Sequence, residues 1–407
     1  MKRMRSTARQ QPDGPVAFVL NVSLAGLGAM RSLGRAGVPV IGLDPDPNHA
    51  GFVSRYGRCL RSPHPVLEPD QLAEFLIDQG KRLDQPGILS PASDAFVLFI
   101  SRYRDVLRDY FRFNVPPAEV MEAALDKRKL YELTASVGYA HAKTLDPKTM
   151  DDVHQIKHDL IYPVFLKPYY SHMWEAHFPG AGKGIKVFSP EELISSFEKI
   201  FPTNVAVMVQ EIIAGPDTNV QTVYMYLTHD GTPLGVLTTH KLRQFPREFG
   251  RGSLAETFHD PEFAEFGLTF FRNIGYRGFG TIEFKRDDRD GLLKVTDLNP
   301  RWVKPINLPT VAGIDFPLLH YRDLAGQSPA PQMEFRAGVR WLDAISDVAT
   351  SWPMIRSGDL SPWTWARSCM GARAFPAFAA DDLRPFLHEY GYGRRLLRAP
   401  MRVLRRR

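Results

Sequence analysis

The sequence predicts an α/β protein of more than one domain, and three observations carry that prediction. Residues 16–44 read as strand, small-residue turn, helix and strand, which together make a βαβ unit. Apolar strands and helices go on alternating to about residue 120, as in an open α/β domain. Farther along, Thr281–Lys285 and Leu293–Asn299 alternate around an acidic turn ending in Asp290-Gly291, a hairpin signal. At 407 residues the chain is too long for one typical core, so two or three domains are expected.

Taken in order, residues 16–20 are expected as a buried strand, 23–28 as a turn and 29–36 as a helix capped by Gly37. The next strand, 38–43, ends at Asp44. A dinucleotide fingerprint at Gly26-Leu27-Gly28 lacks its third glycine, because Arg31 stands there. A Rossmann-like domain using that turn for packing or another ligand is preferred, although Asp44 sits where a ribose-binding acid would. Further expectations are a helix over 69–82, a strand over 87–90 and a helix from about Asp94 to Arg108. Asp126 suits the N-cap of a helix over 127–136, with Gly138 as its stop. Helices are also expected near 190–200 and 261–274. From 331 the chain is Trp-rich (Trp341, Trp352, Trp363, Trp365) and is expected to be helical.

Composition narrows the function. Hydrophobic residues at 44% and charged residues at 24% are those of ordinary soluble globular protein. The net charge of +6 resides in the tails: residues 394–407 carry +7 and residues 1–14 carry +3, leaving −4 for the body. A basic nucleic-acid-binding face is therefore not expected. Cys59 and Cys369 lack metal-ligand spacing and suit a reducing compartment. No apolar run is long enough to span a membrane. Asn21 and Ser23 break the apolar run after the basic start, so a signal peptide is not expected and a cytoplasmic location is.

The acidic hairpin is the most informative segment. With the turn centred on Asp290, Glu283 lies across from Asp297, and Asn299 shares the face of Asp297. Opposed carboxylates are destabilising unless a cation lies between them. Two carboxylates and an amide oxygen are the hard donors Mg²⁺ prefers, with nucleotide phosphates completing the shell. Arg301 adds a rigid fork for a phosphate or carboxylate. An ordinary hairpin with solvated acids is the alternative.

Three more pieces precede it. A strand over 164–166 delivers Lys167, and the loop 179–184 contains Gly180, Gly182, Lys183 and Gly184. Glycines let amides approach phosphates, though a plain β-turn has the same composition. A β-branched strand over 205–209 runs into Gln210-Glu211-Ile212-Ile213, which can meet an adenine edge or simply end the strand. Lys241, Arg243 and Arg247 can hold an acceptor carboxylate or a tetrahedral intermediate, or be a solvated basic strand. His172, Glu175 and His177 surround Trp174 in a loop that reads as a lid over substrate rather than a metal site. His240 is a proton acceptor or a packed histidine, and Trp302 and Lys304 shape an acceptor pocket or pack.

The order of these pieces over about residues 15–330 resembles the ATP-grasp superfamily. Asp297-Leu298-Asn299-Pro300-Arg301 looks like its Glu-x-Asn-Pro-Arg motif, and Ser93-Asp94, Asp126-Lys127 and the Lys241-Leu242-Arg243 run before Gly250-Arg251-Gly252 support it. The nearest branch looks like the carboxylate–amine ligases related to D-aspartate ligase and the carbamoyl phosphate synthetase ATP-binding half. The resemblance implies a Rossmann-like pre-ATP-grasp domain (15–125), a small subdomain (126–215), a large subdomain (216–330) and a C-terminal helical extension (331–393), between tails 1–14 and 394–407. It implies that Lys127 and Lys167 bind ATP phosphates and that Lys183, between Gly182 and Gly184, closes over them. Glu211 and the backbone near Ile213 would hold adenine with Gln210 beside them, and Asp217 the ribose, one position short of the usual spacing. Glu283, Asp297 and Asn299 would hold one or two Mg²⁺ (or Mn²⁺), and Arg301 would meet the γ-phosphate or acyl phosphate. Asp297 departs from the usual glutamate.

The implied activity is an ATP-dependent carboxylate–amine ligase forming an amide through an acyl phosphate. Its partners are a small carboxylate and an amine, amino acids among the candidates. The alternatives are an ATP-grasp kinase or carboxylase, or a non-catalytic ATP-binding protein. A homodimer is a candidate assembly. The Arg394–Arg407 tail is either disordered or in weak contact with an anionic membrane surface, at the inner face of the membrane.

Overall fold

The computed structural model describes residues 14–169, 174, 177–178, 184–247 and 250–391. The chain divides into two compact units. The larger comprises residues 1–133, 217–283 and 297–407, and the smaller residues 134–216 and 284–296.

In the larger unit the apolar strand β1 (Ala17–Leu20) is wholly buried. With β2 (Val40–Asp44), β3 (Arg58–Arg61), β4 (Gly87–Pro91) and β5 (Phe111–Arg112) it forms a parallel sheet in the order β3-β2-β1-β4-β5. The expected turn over 23–28 is corrected: Ser23 is the N-cap and the helix Leu24–Arg35 already contains both glycines. Packing explains them. A Cβ on Gly26 would meet the Asn21 carbonyl oxygen at 1.9 Å, and one on Gly28 would meet Ile306 Cγ2 at 2.5 Å. Asp44 is fully buried and accepts from Asn21 Nδ2 (3.0 Å), Val22 N (2.7 Å) and Asp46 N (3.0 Å), with His49 Nδ1 at 2.7 Å. Its carboxylate closes a loop. The expected helix 94–108 breaks at Tyr103 into Asp94–Arg102 and Arg104–Leu107.

The smaller unit holds β6 (Ala140–His141), β7 (Thr144–Leu145), β8 (Val164–Pro168), β9 (Ile185–Val187) and β10 (Val207–Glu211). Four of these form an antiparallel sheet in the order β7-β10-β8-β9. The helix Pro190–Ile200 is capped by Ser189 Oγ accepting from Glu192 N at 3.2 Å and buries Leu193, Phe197 and Ile200. Trp174 is buried in this core against Phe178, ring centroids 4.4 Å apart. Packing therefore accounts for that tryptophan; of the other parts of the expected lid, His177 is exposed, and His172 and Glu175 lie outside the described residues.

The long sheet of the larger unit is built from β11 (Val220–Leu227), β12 (Pro233–Phe245), β13 (Arg251–Thr257), β14 (Gly278–Arg286), β15 (Leu293–Asn299), β16 (Arg340–Leu342) and β17 (Ala372–Ala374), in the order β17-β16-β13-β12-β11-β14-β15. The outer ends of β14 and β15 run on into the smaller unit, where Lys294 and Val295 pair with β6. The Trp-rich stretch is not purely helical. Besides helices Ala344–Ser357, Pro362–Cys369 and Arg384–Gly391 it supplies β16 and β17, and Trp341 is buried on β16. Among the described residues no helix is long and apolar enough to cross a membrane.

Candidate active site

Asp126 ends one helix and starts the next: its Oδ1 accepts from Arg128 N at 2.9 Å, an N-cap bond that places Lys127 in the first turn of the helix Lys127–Ser136. From there the Lys127 ammonium reaches Asp297 Oδ1 on β15. Asn299 Nδ2 donates to the other oxygen, Asp297 Oδ2, at 3.1 Å. On β14, Glu283 Oε2 lies 2.7 Å from Lys241 Nζ, which reaches it from β12 across the intervening β11. The Glu283 carboxylate also acts on Lys127. Arg301 follows at the end of the hairpin, clasped by Asp94 from the first turn of helix Asp94–Arg102: Nε to Oδ1 2.7 Å and Nη2 to Oδ2 3.2 Å.

Burial pushes the Asp297 carboxyl up, but Lys127, Asn299 and Arg301 outweigh it and hold that carboxyl below the usual carboxylate range. Burial likewise pushes Lys127 down, yet Asp297, Tyr131 and Glu283 hold it above the ordinary lysine value. Both groups are therefore charged at neutral pH. Two carboxylates acting on one ammonium is the environment a cation between them requires. The donors are hard oxygens, and so the set fits Mg²⁺. Among the described residues no group of three or more His, Cys, Asp and Glu side chains could hold a metal ion; the candidate set is two carboxylates and an amide.

No protein-family model matches the chain. Over 236 residues, 56% of the chain, it is 24% identical to D-aspartate ligase of Enterococcus faecium (strain Aus0004), and the match spans 56% of that protein. N5-carboxyaminoimidazole synthetase from Staphylococcus aureus, complexed with ADP, superposes with a TM-score of 0.61 at 13% identity, covering 79% of this chain and 80% of that one. The biotin carboxylase domain of Hydrogenobacter thermophilus 2-oxoglutarate carboxylase, in complex with MgADP, ADP and bicarbonate, gives 0.59 at 16% identity over 80% of this chain and 73% of its own. The fold is the ATP-grasp fold.

Within the ATP-grasp fold the larger unit brings together Lys127, Lys241, Glu283, Asp297, Asn299 and Arg301. Asp217, also there, accepts from Gln244 Nε2 at 2.8 Å. Arg243 is a correction. It is buried, Nε and Nη2 grip Asp347 Oδ1 and Oδ2 at 2.8 and 2.9 Å, and Nη1 donates to Ser368 Oγ at 2.7 Å. Its guanidinium fastens the C-terminal extension to β12 and is not presented to a substrate. The register shift around residues 241–243 separates its fate from that of Lys241.

In the smaller unit Lys167 lies on β8 opposite Met208. Gln210 donates to Thr144 Oγ1 at 2.9 Å, and Glu211 Oε1 accepts from Ile161 N at 3.0 Å. Gly184 has φ +151°, and a Cβ there would meet the Leu166 carbonyl oxygen at 2.1 Å, so close backbone approach to β8 requires it. Gly182 and Lys183 lie outside the described residues. The carbonyl of Ile213 accepts from Lys285 Nζ at 2.8 Å, and that of Ile212 from Arg289 Nη2 at 3.1 Å. Sequence reasoning missed Lys285. The signal was available, because Lys285 stands two positions after Glu283 on one strand. It also missed the grip of Asp94 on Arg301, which spans 207 positions of sequence.

Proposed function

We propose that the protein is an ATP-dependent carboxylate–amine ligase that makes an amide through an acyl phosphate. One observation carries the reading: in a chain with the ATP-grasp fold, Lys127, Glu283, Asp297, Asn299 and Arg301 form one charged cluster. The likeness to a D-aspartate ligase favours amino acids as one or both substrates.

Glu283, Asp297 and Asn299 would hold Mg²⁺, which when bound neutralises phosphate charge. Arg301, a permanent cation held by Asp94, is oriented for the transferring phosphoryl group or the acyl phosphate. Lys127 would bind ATP phosphates, and Lys241 would orient the acceptor carboxylate beside Glu283. Of the residues in the smaller unit, Glu211, Gln210 and the backbone at Ile213 would serve adenine and Lys167 the phosphates; Asp217 of the larger unit would serve the ribose, and Lys183 the phosphates. The carboxylate oxygen attacks the γ-phosphorus and ADP leaves. The amine then attacks the acyl carbon, inorganic phosphate leaves with that oxygen, and the amine loses a proton. Positioning and charge neutralisation suffice, and no protein nucleophile is required.

The test is an ADP-release screen of amino-acid and small carboxylate pairs with Mg²⁺, followed by mass measurement of the product. With ¹⁸O-labelled carboxylate, one label appears in inorganic phosphate. ADP release that depends on bicarbonate, or a stable phosphorylated product, overturns the ligase reading in favour of a carboxylase or kinase.

A further inference from the structure

The larger unit contains a cavity of about 910 Å³, lined by none of the residues of the active-site cluster. Its volume lies in the range of small-molecule sites. Four guanidinium groups line it, those of Arg104, Arg108, Arg112 and Arg277, against the carboxylates of Asp230 and Asp323, for a net +2. Loop geometry joins them: Arg104 and Arg108 lie on and just after the helix Arg104–Leu107, Arg112 ends β5, and Arg277 immediately precedes β14.

The acids already have donors. Asp230 Oδ1 accepts from Thr228 Oγ1 and Thr232 N, and Asp323 Oδ2 accepts from the Tyr226 hydroxyl at 2.6 Å. The arginines spend theirs on neutral main-chain oxygens: Arg104 on Pro116 O (3.0 Å), Arg112 on Leu324 O (3.0 Å), and Arg277 on His229 O (2.8 Å) and Tyr276 O (2.7 Å). Among the described residues Arg108 pairs with the exposed Asp105, at 3.3 Å. Carbonyl bonds fix the direction of a guanidinium but leave its charge uncompensated, and each fork keeps further N–H donors. Buried Phe111, Val115, Leu234 and Leu324 form an apolar wall beside these charges, which strengthens attraction to an anion.

We propose that this cavity binds a small dianion, a phosphate ester or a polycarboxylate, at a site separate from the nucleotide cluster. Paired arginines held in place by backbone carbonyls suit the bidentate recognition that phosphate and carboxylate share.

The experiment is isothermal titration calorimetry of the full chain, without Mg²⁺, using inorganic pyrophosphate in one arm and citrate in the other. Saturable binding in either arm is expected, with pyrophosphate the tighter for a phosphate-ester site and citrate for a polycarboxylate site. Arg104→Gln weakens it at least tenfold and leaves ADP affinity unchanged. Should that variant fail to fold, Ser328→Asp serves: Ser328 has φ +46°, which aspartate tolerates, and the change puts a third carboxylate in the cavity. It too should weaken the probe tenfold. Absence of binding in both arms, probe displacement by ADP, or affinity unchanged in Ser328→Asp overturns the proposal.

Discussion

Asp94 holds Arg301 by two hydrogen bonds of 2.7 and 3.2 Å, joining the first turn of a helix in the parallel-sheet layer to the residue that closes the acidic hairpin. A two-point clasp fixes the plane of the guanidinium, which one bond would leave to rotate. Asp94→Ala should therefore lower kcat/KM for MgATP by about tenfold, a figure discounted for the half-exposed position of the carboxylate. Asp94→Asn, which can keep one bond, should recover part of that loss. Steady-state ADP release by both variants checks it, and equal rates in wild type and Asp94→Ala would refute the positioning role.

Removing charge from the cluster should be far more damaging. Glu283→Gln and Asp297→Asn are each expected to lower kcat by about 100-fold or more, the usual scale for loss of a group that stabilises transition-state charge. Asp297→Glu restores the longer carboxylate of the motif this chain resembles, and should stay within about tenfold of wild type while changing the Mg²⁺ dependence. Mg²⁺ titration of ADP release separates the three.

Arg243 and Asp347 form a buried pair, so breaking it leaves one unpaired buried charge. Arg243→Met should destabilise the protein by about 3–5 kcal/mol, and adding Asp347→Leu should return most of that. Urea unfolding of the two single variants and the double variant measures the coupling. A single variant as stable as wild type would show that the pair does not fasten the extension.

His320 gives the fold its own pH dependence. Its ring is buried, Nε2–H donates to the Leu89 carbonyl at 3.1 Å, and burial pushes its pKa down to about 4. An unfolded histidine titrates near 6.5, so between those values the unfolded chain binds a proton that the folded chain refuses. Stability from this residue is complete above about pH 6.5 and falls as pH drops toward 4. Moving from pH 7 to pH 5 should cost about 2 kcal/mol. His320→Gln should flatten that slope in urea melts at the two pH values.

Local chemistry made much of this protein legible in its sequence. Apolar runs and caps marked β1, the helix capped by Ser189 and the hairpin of β14 and β15, because those signals act within a few residues. Glu283, Asp297 and Asn299 could be singled out for a cation because strand alternation fixes which side chains share a face. The errors arose where a distant partner decided the outcome. Gly26 and Gly28 signalled a turn but lie inside a helix, where the close approach of Asn21 and Ile306 leaves no room for a Cβ, and Arg243 turned inward because Asp347, 104 positions later, supplies a buried carboxylate.

The sequence by itself thus determined the alternation of strands and helices and the kinds of side chain proposed for a nucleotide and a metal. Only the tertiary structure decided which cations stand beside those acids, that Asp94 holds Arg301, and that the Trp-rich stretch adds two strands to the long sheet. The reason is physical: periodicity and capping are written in neighbouring residues, whereas charge pairing and close packing depend on distances that exist only once the chain has folded.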